Sequence, residues 1–350
     1  MEEIQYKSFS LKTHKKNWLI NRPNVCQFEL TFRCGLRCKH CYTDCYNKPA
    51  YLKKELNTKQ IKLILDKVYN AGVIWVCFTG GDPLTRRDFL DIYTYAKKKG
   101  FIVSIFTNAC SMNKKIADYL EKYPPFVIEM TLNGATKETY EKISRVKGSF
   151  EKAMRGIQLM RRAEIPLKIK TQVTRDNFPE VNKIKKFILG MGLEFKPSID
   201  LHARLNGDLS PCDLRLSVQQ VFKLNGKKKP VEDDCLLNKQ PDMPKTRNKR
   251  FLFRCAAGGG DGFNVDPYGN TFACNLIRKP AFNLLRVGIK EAMHKSISLV
   301  RGRVFVTNSK CKACRLINSC RLCPGRAYVE TGDMEAPVDY YCQLALASSS

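Results

Sequence analysis

Cys34-Gly-Leu-Arg-Cys38-Lys-His-Cys41 places three thiols within eight residues, directly after the apolar-rich run Val25-Cys-Gln-Phe-Glu-Leu-Thr-Phe32. The run has the length and composition of a buried β-strand, so the cysteines fall on the loop that leaves it. Closely spaced thiolates suit a soft metal centre, either zinc or an iron–sulfur cluster. A structural zinc site needs a fourth ligand, for which His40 and Cys45 are candidates. The local spacing therefore predicts a metal site and leaves the metal open.

Apolar runs of strand length alternate with helical patterns from this loop to residue 199. Thr58 is placed to cap the first helix, and Gly72 to end it. This alternation predicts an α/β fold with right-handed βαβ units and a parallel sheet, either doubly wound or closed into a full or partial barrel. Ligands of such sheets bind at the carboxyl ends of the strands, where the cysteine loop falls. The predicted strands are Val25–Phe32, Val73–Phe78, Ile102–Phe106, Phe126–Leu132, Leu167–Val173 and Phe195–Ile199; the later helices are predicted around residues 89–96, 114–123, 150–162 and 181–191.

Three more of the predicted strands end in motif-like residues. Thr79-Gly-Gly-Asp-Pro-Leu84 follows the second strand, and its glycines allow the backbone to approach a ligand closely. Thr107-Asn108 follows the third strand, and Thr131-Leu-Asn-Gly-Ala135 follows the fourth. Each motif alone is also compatible with an ordinary turn. Their order after consecutive strands favours a shared ligand at one edge of the sheet.

In that order, the motifs resemble those of the radical S-adenosylmethionine (radical SAM) superfamily. C-x3-C-x2-C after a strand is its signature, in which three cysteines hold a 4Fe-4S cluster and the remaining iron binds the amino and carboxylate groups of S-adenosylmethionine. The resemblance implies a partial (β/α)6 TIM-like barrel. It also implies that Cys34, Cys38 and Cys41 are the ligands of the catalytic cluster, since the missing fourth cysteine leaves a coordination position open.

The same resemblance implies a set of cofactor-binding residues. Gly80-Gly81-Asp82-Pro83 resembles the GGEP motif, whose backbone and acid receive the methionine amino group, with an aspartate in place of the glutamate. Thr107 and Asn108 stand where the family often has Thr-Asn-Gly, and Ala109 replaces the glycine. Thr131-Leu-Asn133 resembles Ser-Leu-Asp, with Asn133 in place of an acid that binds ribose hydroxyls.

Two further cofactor contacts follow from the resemblance. Arg145 is expected to pair with the methionine carboxylate. His40 occupies a position where the family usually has an aromatic residue, and it is expected to pack against the adenine.

A second array of cysteines begins at residue 255. The two C-x2-C pairs within residues 311–323, taken alone, indicate a zinc ribbon or knuckle. The whole series resembles the SPASM extension of radical SAM enzymes, which carries auxiliary 4Fe-4S clusters. The resemblance implies one auxiliary cluster on Cys311, Cys314, Cys320 and Cys342, and another to which Cys255, Cys274 and Cys323 contribute.

The array departs from the SPASM pattern in two ways. Two residues rather than the usual three separate Cys320 from Cys323. No obvious further cysteine lies between Cys255 and Cys274, so the second auxiliary cluster has either an open iron or a ligand from elsewhere. The candidates are Cys235, Cys212 and Asp261.

These patterns divide the chain into four parts. Residues 1–24 are polar and basic and are expected to form an arm that packs on the first strand. Residues 25–200 are the predicted barrel, and residues 201–250 are a bridging region with one helix near Leu216–Leu224. Residues 251–346 are the predicted SPASM auxiliary-cluster domain, which opens with a hairpin over Phe263–Phe272.

Composition limits the class of protein. The 350 residues include 16 cysteines, and the N-terminus has neither a signal-peptide core nor a spanning segment. Metal-type spacing in a long leaderless chain predicts a reducing, cytoplasmic location and no membrane. The formal net charge of +28 is spread along probable helices without interleaved aromatic residues, so no nucleic-acid partner is expected.

The resemblance implies reductive cleavage of S-adenosylmethionine to a 5'-deoxyadenosyl radical, supported by three 4Fe-4S clusters. The expected substrate is a ribosomally synthesised precursor peptide, which receives a thioether or carbon–carbon cross-link or is epimerised. The alternative is an enzyme of cofactor or tetrapyrrole biosynthesis, because Cys38-Lys-His-Cys41-Tyr42 also resembles haem-pathway members. A sulfatase-maturating enzyme is disfavoured, because Asn275 stands where that group has an aspartate. A non-enzymatic electron-transfer or zinc adaptor is the remaining alternative.

Peptide-modifying relatives often carry an N-terminal recognition domain, for which residues 1–24 are too few. A separate small peptide-recognition (PqqD-like) protein or leader-independent binding is therefore expected. A flavodoxin or ferredoxin-type reductant is expected as the electron donor.

Overall fold

The computed structural model describes residues 5–19, 22–224, 251–253, 262–300, 302–317 and 320–349. Six parallel strands lie side by side in chain order, and each pairs with the next. An order that never reverses is that of a singly wound, partial barrel rather than a doubly wound sheet. The strands are β1 (Val25–Thr31), β2 (Trp75–Gly80), β3 (Ile102–Thr107), β4 (Val127–Thr131), β5 (Leu167–Gln172) and β6 (Phe195–Ser198).

Helices cover the outer face of this sheet, because alternate strand residues such as Phe28, Phe78 and Ile105 point outward into one apolar core with them. The predicted cap of the helix Thr58–Asn70 is wrong by one residue: Asn57 caps this helix, since its side chain and that of Gln60 form a reciprocal capping box. The helices among the described residues are α1 (Tyr6–Leu19), α2 (Pro49–Leu52), α3 (Thr58–Asn70), α4 (Phe89–Lys98), α5 (Lys114–Lys122), α6 (Lys137–Ser144), α7 (Ser149–Arg162), α8 (Val181–Gly190), α9 (Val218–Leu224), α10 (Ile289–Ser298), α11 (Pro324–Thr331) and α12 (Asp339–Ser349).

The C-terminal region continues the barrel sheet. Strands β7 (Gly262–Val265) and β8 (Asn270–Phe272) form the predicted antiparallel hairpin, and β9 (Phe282–Asn283) pairs with β8. β7 also pairs in parallel with β1, which extends the sheet to nine strands within the described part of the chain. This pairing, which the local sequence does not predict, brings Cys274 beside the barrel.

The N-terminal segment is a helix at the amino ends of the strands. The His14 ring stacks on Trp75, the first residue of β2, with 4.7 Å between ring centroids. The Tyr6 ring lies 4.6 Å from that of Phe126, which directly precedes β4. α1 therefore covers the end of the sheet opposite the cysteine loop, and a side-chain hydrogen bond from Asn17 to Asn24 ties it to the residue before β1. No helix in the described part of the chain is long and apolar enough to cross a membrane.

Candidate active site

The cysteines of the first motif lie on the loop after β1. Cys34, Cys38 and Cys41 are half-buried and form no disulfide. The Cys34 sulfur accepts hydrogen bonds at 3.4 Å from the backbone N–H of Leu36 and from the side-chain amide of Asn108. Donors aimed at a sulfur stabilise a thiolate, which is the form that ligates iron. This donor set fits an iron–sulfur cluster at the loop.

Burial is the largest cause that raises the pKa of both the Cys34 and the Cys38 thiol, and the neighbouring thiols raise the pKa of Cys38 further. A bound metal reverses this preference, because its positive charge favours the thiolate. Among the described residues, no three His, Cys, Asp or Glu side chains converge on a single-ion position.

Backbone and side-chain hydrogen bonds hold the loop on two sides. On one side, the N–H groups of Arg37 and Lys39 donate to the carbonyls of Ser144 and Ile143, at the end of α6 (2.9 and 3.0 Å). The loop therefore follows the position of α6.

On the other side, the buried guanidinium of Arg204 donates to the carbonyls of Cys41 (2.6 Å) and Lys39 (3.2 Å). The Asn47 amide donates to the carbonyl of Cys34 at 2.9 Å. Both side chains were missed at the sequence level, because neither belongs to a motif near the cysteines.

The Gly80-Gly81 pair lies against the backbone that leads into the cysteine loop. A Cβ on Gly80 would come within 2.1 Å of the Thr31 carbonyl oxygen, and one on Gly81 within 2.4 Å of the Arg33 oxygen. The N–H of Gly81 donates to Thr31 at 2.7 Å, and that of Asp82 donates to Arg33 at 2.9 Å. These contacts require glycine, and they align the end of β2 with the loop; Pro83 follows as a buried residue.

The Asp82 carboxylate is fully buried and is satisfied by protein donors. One oxygen accepts from the Thr107 hydroxyl (2.8 Å) and the Asn108 N–H (3.0 Å), and the other accepts from the Leu84 N–H (2.9 Å). Burial raises the pKa of Asp82 to about 6, and these hydrogen bonds limit the rise. The carboxylate thus ties the end of β2 to the end of β3, and its expected contact with the amino group of the cofactor stays a prediction.

Asn108 links this network to the cluster loop. Its side-chain nitrogen donates to the Cys34 sulfur, and its side-chain oxygen accepts from the Cys110 N–H at 2.9 Å. Ala109, which replaces the family's glycine, has the left-handed backbone that the glycine would adopt, with φ of 61°. The turn after β3 therefore keeps its shape despite the substitution.

Asn133 holds the ends of β4 and β5 together. Its side-chain oxygen accepts from the Gln172 N–H, and its carbonyl accepts from the Asn177 amide, both at 2.9 Å. The residue is buried, while Thr131 is partly exposed at the end of β4. Asn133 therefore ties β4 to β5, and the ribose contact expected from the resemblance stays a prediction.

The other two expected cofactor residues differ in exposure. Arg145 is exposed, ends α6 in the left-handed conformation and donates through Nε to the Arg37 carbonyl at 3.0 Å. Burial, followed by the charge of Arg204, lowers the pKa of His40 to about 4, so its imidazole is neutral. The His40 Nδ1 atom is buried and has no hydrogen-bond partner among the described residues.

Cysteines of the second array line one apolar cavity of about 170 Å³. The cavity lies among C-terminal apolar residues, including Phe305 and Ile317. The loop that precedes Cys311 in the chain is held by the buried carboxylate of Glu335, which accepts hydrogen bonds from the N–H groups of Val306 and Thr307 at 2.9 Å. Several thiols around one apolar space fit an auxiliary iron–sulfur cluster. The lining cysteines are Cys311, Cys314, Cys320, Cys323 and Cys342.

Cys323 also faces the region of Cys274. It caps the N-terminus of α11, where its sulfur accepts from the Arg326 N–H at 3.3 Å. A Cβ on Gly325, in the first turn of α11, would lie 3.3 Å from the Cys274 sulfur. The structure therefore brings Cys274 to the helix end that carries Cys323.

Three of the other residues expected near this second auxiliary cluster, Cys255, Cys235 and Asp261, lie outside the described residues. Cys212 lies among the charges of Arg215 and Glu330.

A buried ion pair joins the barrel to the C-terminal region. Both Arg278 terminal nitrogens donate to the Glu29 carboxylate at 2.7 Å, and the Glu29 side chain is fully buried on the inner face of β1. Burial raises the pKa of the nearby Tyr42, and Glu29, Arg278, Cys41 and Cys274 all act on that pKa through their charges. Tyr42, the residue after Cys41, is therefore also close to Cys274. Neither the ion pair nor this placement was predicted.

Residues 28–186 match the family model of the radical SAM superfamily. The mycofactocin maturase of Mycobacterium ulcerans is 30% identical over 312 residues, which cover 86% of this chain and 83% of that protein. The chain belongs to the radical SAM superfamily. As a radical SAM enzyme, the protein binds a 4Fe-4S cluster and S-adenosylmethionine. These two cofactors of the prediction are confirmed.

Two other similarities extend over almost the whole radical SAM chain. The AdoMet-dependent heme synthase of Methanosarcina barkeri (strain Fusaro) is 25% identical over 334 residues, covering 90% of this chain and 95% of that protein. The crystal structure of Streptococcus suis SuiB bound to its precursor peptide SuiA superposes with a TM-score of 0.70 at 14% identity, covering 98% of this chain and 82% of that one. The predicted fold, a partial barrel with a C-terminal SPASM domain, is confirmed.

Proposed function

We propose that this radical SAM enzyme cleaves S-adenosylmethionine reductively and uses the 5'-deoxyadenosyl radical to modify a ribosomally synthesised peptide. The modification is a thioether or carbon–carbon cross-link, or an epimerisation. The observation that carries the proposal is that the Glu29–Arg278 pair joins the barrel to the C-terminal cysteine region close to Tyr42, the residue after Cys41. We infer that the substrate reacts between the site where the radical forms and the auxiliary region.

Cys34, Cys38 and Cys41 are the proposed ligands of the catalytic cluster, which when bound supplies the electron that cleaves the cofactor. Asn108 donates to the Cys34 sulfur, and such donors set the potential of a cluster. Arg204 donates to two carbonyls of the loop and thereby helps to fix the positions of the three thiols.

The cofactor itself is proposed to lie along the carboxyl ends of β2 to β4. We propose that the Gly80-Gly81-Asp82-Pro83 turn receives the methionine amino group through its backbone and through Asp82, whose carboxylate also ties β2 to β3. The further proposed contacts are Thr107 and Asn108 at the end of β3, Thr131 and Asn133 at the end of β4, Arg145 for the carboxylate and His40 for the adenine.

Two auxiliary clusters are proposed in the C-terminal region. The apolar cavity supports one cluster on Cys311, Cys314, Cys320 and Cys342. The approach of Cys274 to α11 supports a second on Cys274 and Cys323, with Cys255. We expect about twelve irons in the reconstituted chain, four for each cluster.

A peptide substrate is supported by two of the similarities. The relative from Mycobacterium ulcerans is a maturase, and SuiB was solved with a precursor peptide. A precursor peptide is the proposed partner, with a flavodoxin or ferredoxin-type reductant and a small peptide-recognition protein as further proposed partners. The predicted boundaries at residues 24, 200 and 250 remain proposals as well.

A tetrapyrrole substrate is the second candidate. It is supported by the heme synthase of Methanosarcina barkeri, which this chain matches over 95% of that protein's length. Sulfatase maturation is disfavoured, because an amide at Asn275 is a poor base; its buried side-chain oxygen has no hydrogen-bond partner among the described residues.

Co-expression with each short open reading frame found beside the gene tests the peptide assignment. A cross-linked product loses a pair of hydrogen atoms, and an epimerised product gains deuterium when made in D2O; both changes are measured by mass spectrometry. The change should vanish with a Cys34→Ala enzyme. An unchanged peptide, together with conversion of an added tetrapyrrole, would replace the peptide assignment with the second candidate.

A further inference from the structure

The inner face of β5 and β6 carries three lysines. Ile169 points outward into the apolar core, so Lys168 and Lys170 on either side of it point into the barrel. Lys196 of β6 is the cross-strand partner of Lys170 and shares its face. Like charges directly opposite each other on neighbouring strands destabilise a sheet, so this pair calls for a compensating anion.

The acidic side chains near these lysines are too few to compensate them. Lys170 pairs with Glu129 of β4 and lies 4.6 Å over the Phe106 ring. Among the described residues, Lys196 pairs only with Glu194, at 3.6 Å, and that carboxylate is 63% exposed, so the pair contributes little. Lys168 has no ion pair within the described part of the chain. The inner face of β5 and β6 therefore carries excess positive charge.

The lysines lie next to the proposed cofactor site. Lys170 is the register partner of Thr131, at the end of β4. Two residues further along β5, Gln172 bonds to Asn133 through its N–H and to Ser198 through its side chain. An anion held by Lys170 and Lys196 would therefore lie beside β4, the neighbouring strand, whose end carries residues proposed to hold S-adenosylmethionine.

We propose that Lys170 and Lys196 form an anion subsite that binds a carboxylate of the substrate. Lys168, two residues before Lys170 and deeper in the barrel, completes the subsite. The inference rests on the proposed function, because it takes the barrel interior as the place where the substrate reacts. A carboxylate occurs both in peptides, as an acidic side chain or C-terminus, and in tetrapyrroles. The subsite selects for the carboxylate and against the corresponding amide or ester, which leaves the lysines unpaired.

A purely structural explanation also exists for Lys196. β6 is the edge of the sheet and contains Pro197, and inward-pointing lysines on edge strands prevent unwanted strand pairing. That role requires only a charge and predicts no preference between a carboxylate and its amide. Substrate selection therefore separates the two explanations.

The test uses reconstituted holoenzyme saturated with S-adenosylmethionine, so that the carboxylate of the cofactor is already in place. In one arm, immobilised enzyme is offered two pools of random octapeptides. One pool has glutamate at a fixed position and a free C-terminus, whereas the other has glutamine there and a C-terminal amide. In the other arm it is offered coproporphyrin III or its tetramethyl ester, and bound material is quantified by mass spectrometry.

The acid forms should be retained about tenfold better than the neutral forms in at least one arm, which also identifies the source of the carboxylate. Lys196→Gln should remove most of this preference, and Lys196→Arg should restore it. Lys183→Gln is the matched control, because it removes the same charge from the exposed face of α8. Iron content and thermal stability show that each variant has folded.

Three results would overturn the subsite. One is equal retention of acid and neutral forms in both arms, and another is a preference that Lys196→Gln leaves intact. The third is weaker binding of S-adenosylmethionine itself by Lys196→Gln, which would assign the lysines to the cofactor. Failure of the proposed function is seen separately, as an absence of 5'-deoxyadenosine when the wild-type enzyme is reduced.

Discussion

At the residue scale, short backbone contacts decide where the catalytic loop lies. Gly80 and Gly81 lie so close to residues 31–33 that no side chain fits between them. The buried Asp82 carboxylate accepts three hydrogen bonds from the protein. The motif was recognised from the sequence, but its partners were not, because they come from a strand about fifty positions earlier and one about twenty-five later. The acid therefore has a structural role that its family resemblance did not indicate.

Gly81→Ala should destabilise the enzyme by about 1–3 kcal/mol and lower its iron content. The added Cβ would meet the Arg33 oxygen at 2.4 Å, and the loop must shift to relieve the overlap. Gly35→Ala is the control. Gly35 lies in the cysteine loop that Gly81 contacts, but a Cβ on Gly35 would have no atom within 4 Å. Urea unfolding and iron analysis measure the two effects. Equal stability of the two variants would contradict the close approach.

Asp82→Asn should change how stability depends on pH. Burial raises the pKa of this carboxyl from 3.8 to about 6 in the folded protein, so folding favours its protonated form. The stabilisation from this group is complete below pH 3.8 and is lost as the pH rises through about 6. The stability of the metal-free wild type relative to Asp82→Asn should therefore fall over that range and then level off. A difference that does not vary with pH would rule out the raised pKa.

At the element scale, the strands were predictable, whereas several of their connections were not. Strand β1 and the helices after β2 and β3 follow their apolar patterns to within a few residues. α6 was missed because Lys137–Ser144 contains few apolar residues, although its end holds the cysteine loop. The pairing of β7 with β1 leaves no local pattern, because the two strands are more than two hundred residues apart.

Two helical glycines should respond in opposite ways to the same substitution. A Cβ on Gly156 of α7 would lie 2.4 Å from the Ala109 carbonyl, in the turn that carries Asn108. Gly156→Ala should therefore cost about 1–3 kcal/mol. Gly190→Ala, at the end of α8 with open space around it, should be neutral or stabilise by up to about 1 kcal/mol. Thermal unfolding measures both, and a stabilised Gly156→Ala variant would show that α7 does not press on this turn.

At the scale of the whole molecule, the barrel and the cysteine-rich region share one sheet and one buried ion pair. The sequence indicated both regions from their cysteine spacing, and family membership supports that interpretation. How the two regions meet was not predictable, because Glu29 and Arg278 are separated by 249 positions and belong to no motif. Long-range pairs of this kind become visible only when the fold is known.

Arg278→Leu should destabilise the protein by about 3–5 kcal/mol, because it leaves the Glu29 carboxylate buried without a partner. Adding Glu29→Gln removes that charge and should recover part of the loss. A double-mutant cycle on the free energy of unfolding measures the coupling between the two side chains. Additive effects of the two substitutions would show that the pair does not join the two regions.

The paired measurement of iron and 5'-deoxyadenosine in the Cys34→Ala/Cys38→Ala/Cys41→Ala enzyme tests the central claim most directly. After anaerobic reconstitution, the variant should keep about eight of about twelve irons and form no 5'-deoxyadenosine from S-adenosylmethionine when reduced. Cys45→Ala serves as the control and should keep full iron and activity, since its thiol lies in the same loop but is not a proposed ligand. Formation of 5'-deoxyadenosine by the triple variant, or zinc in place of iron in the wild type, would contradict the account.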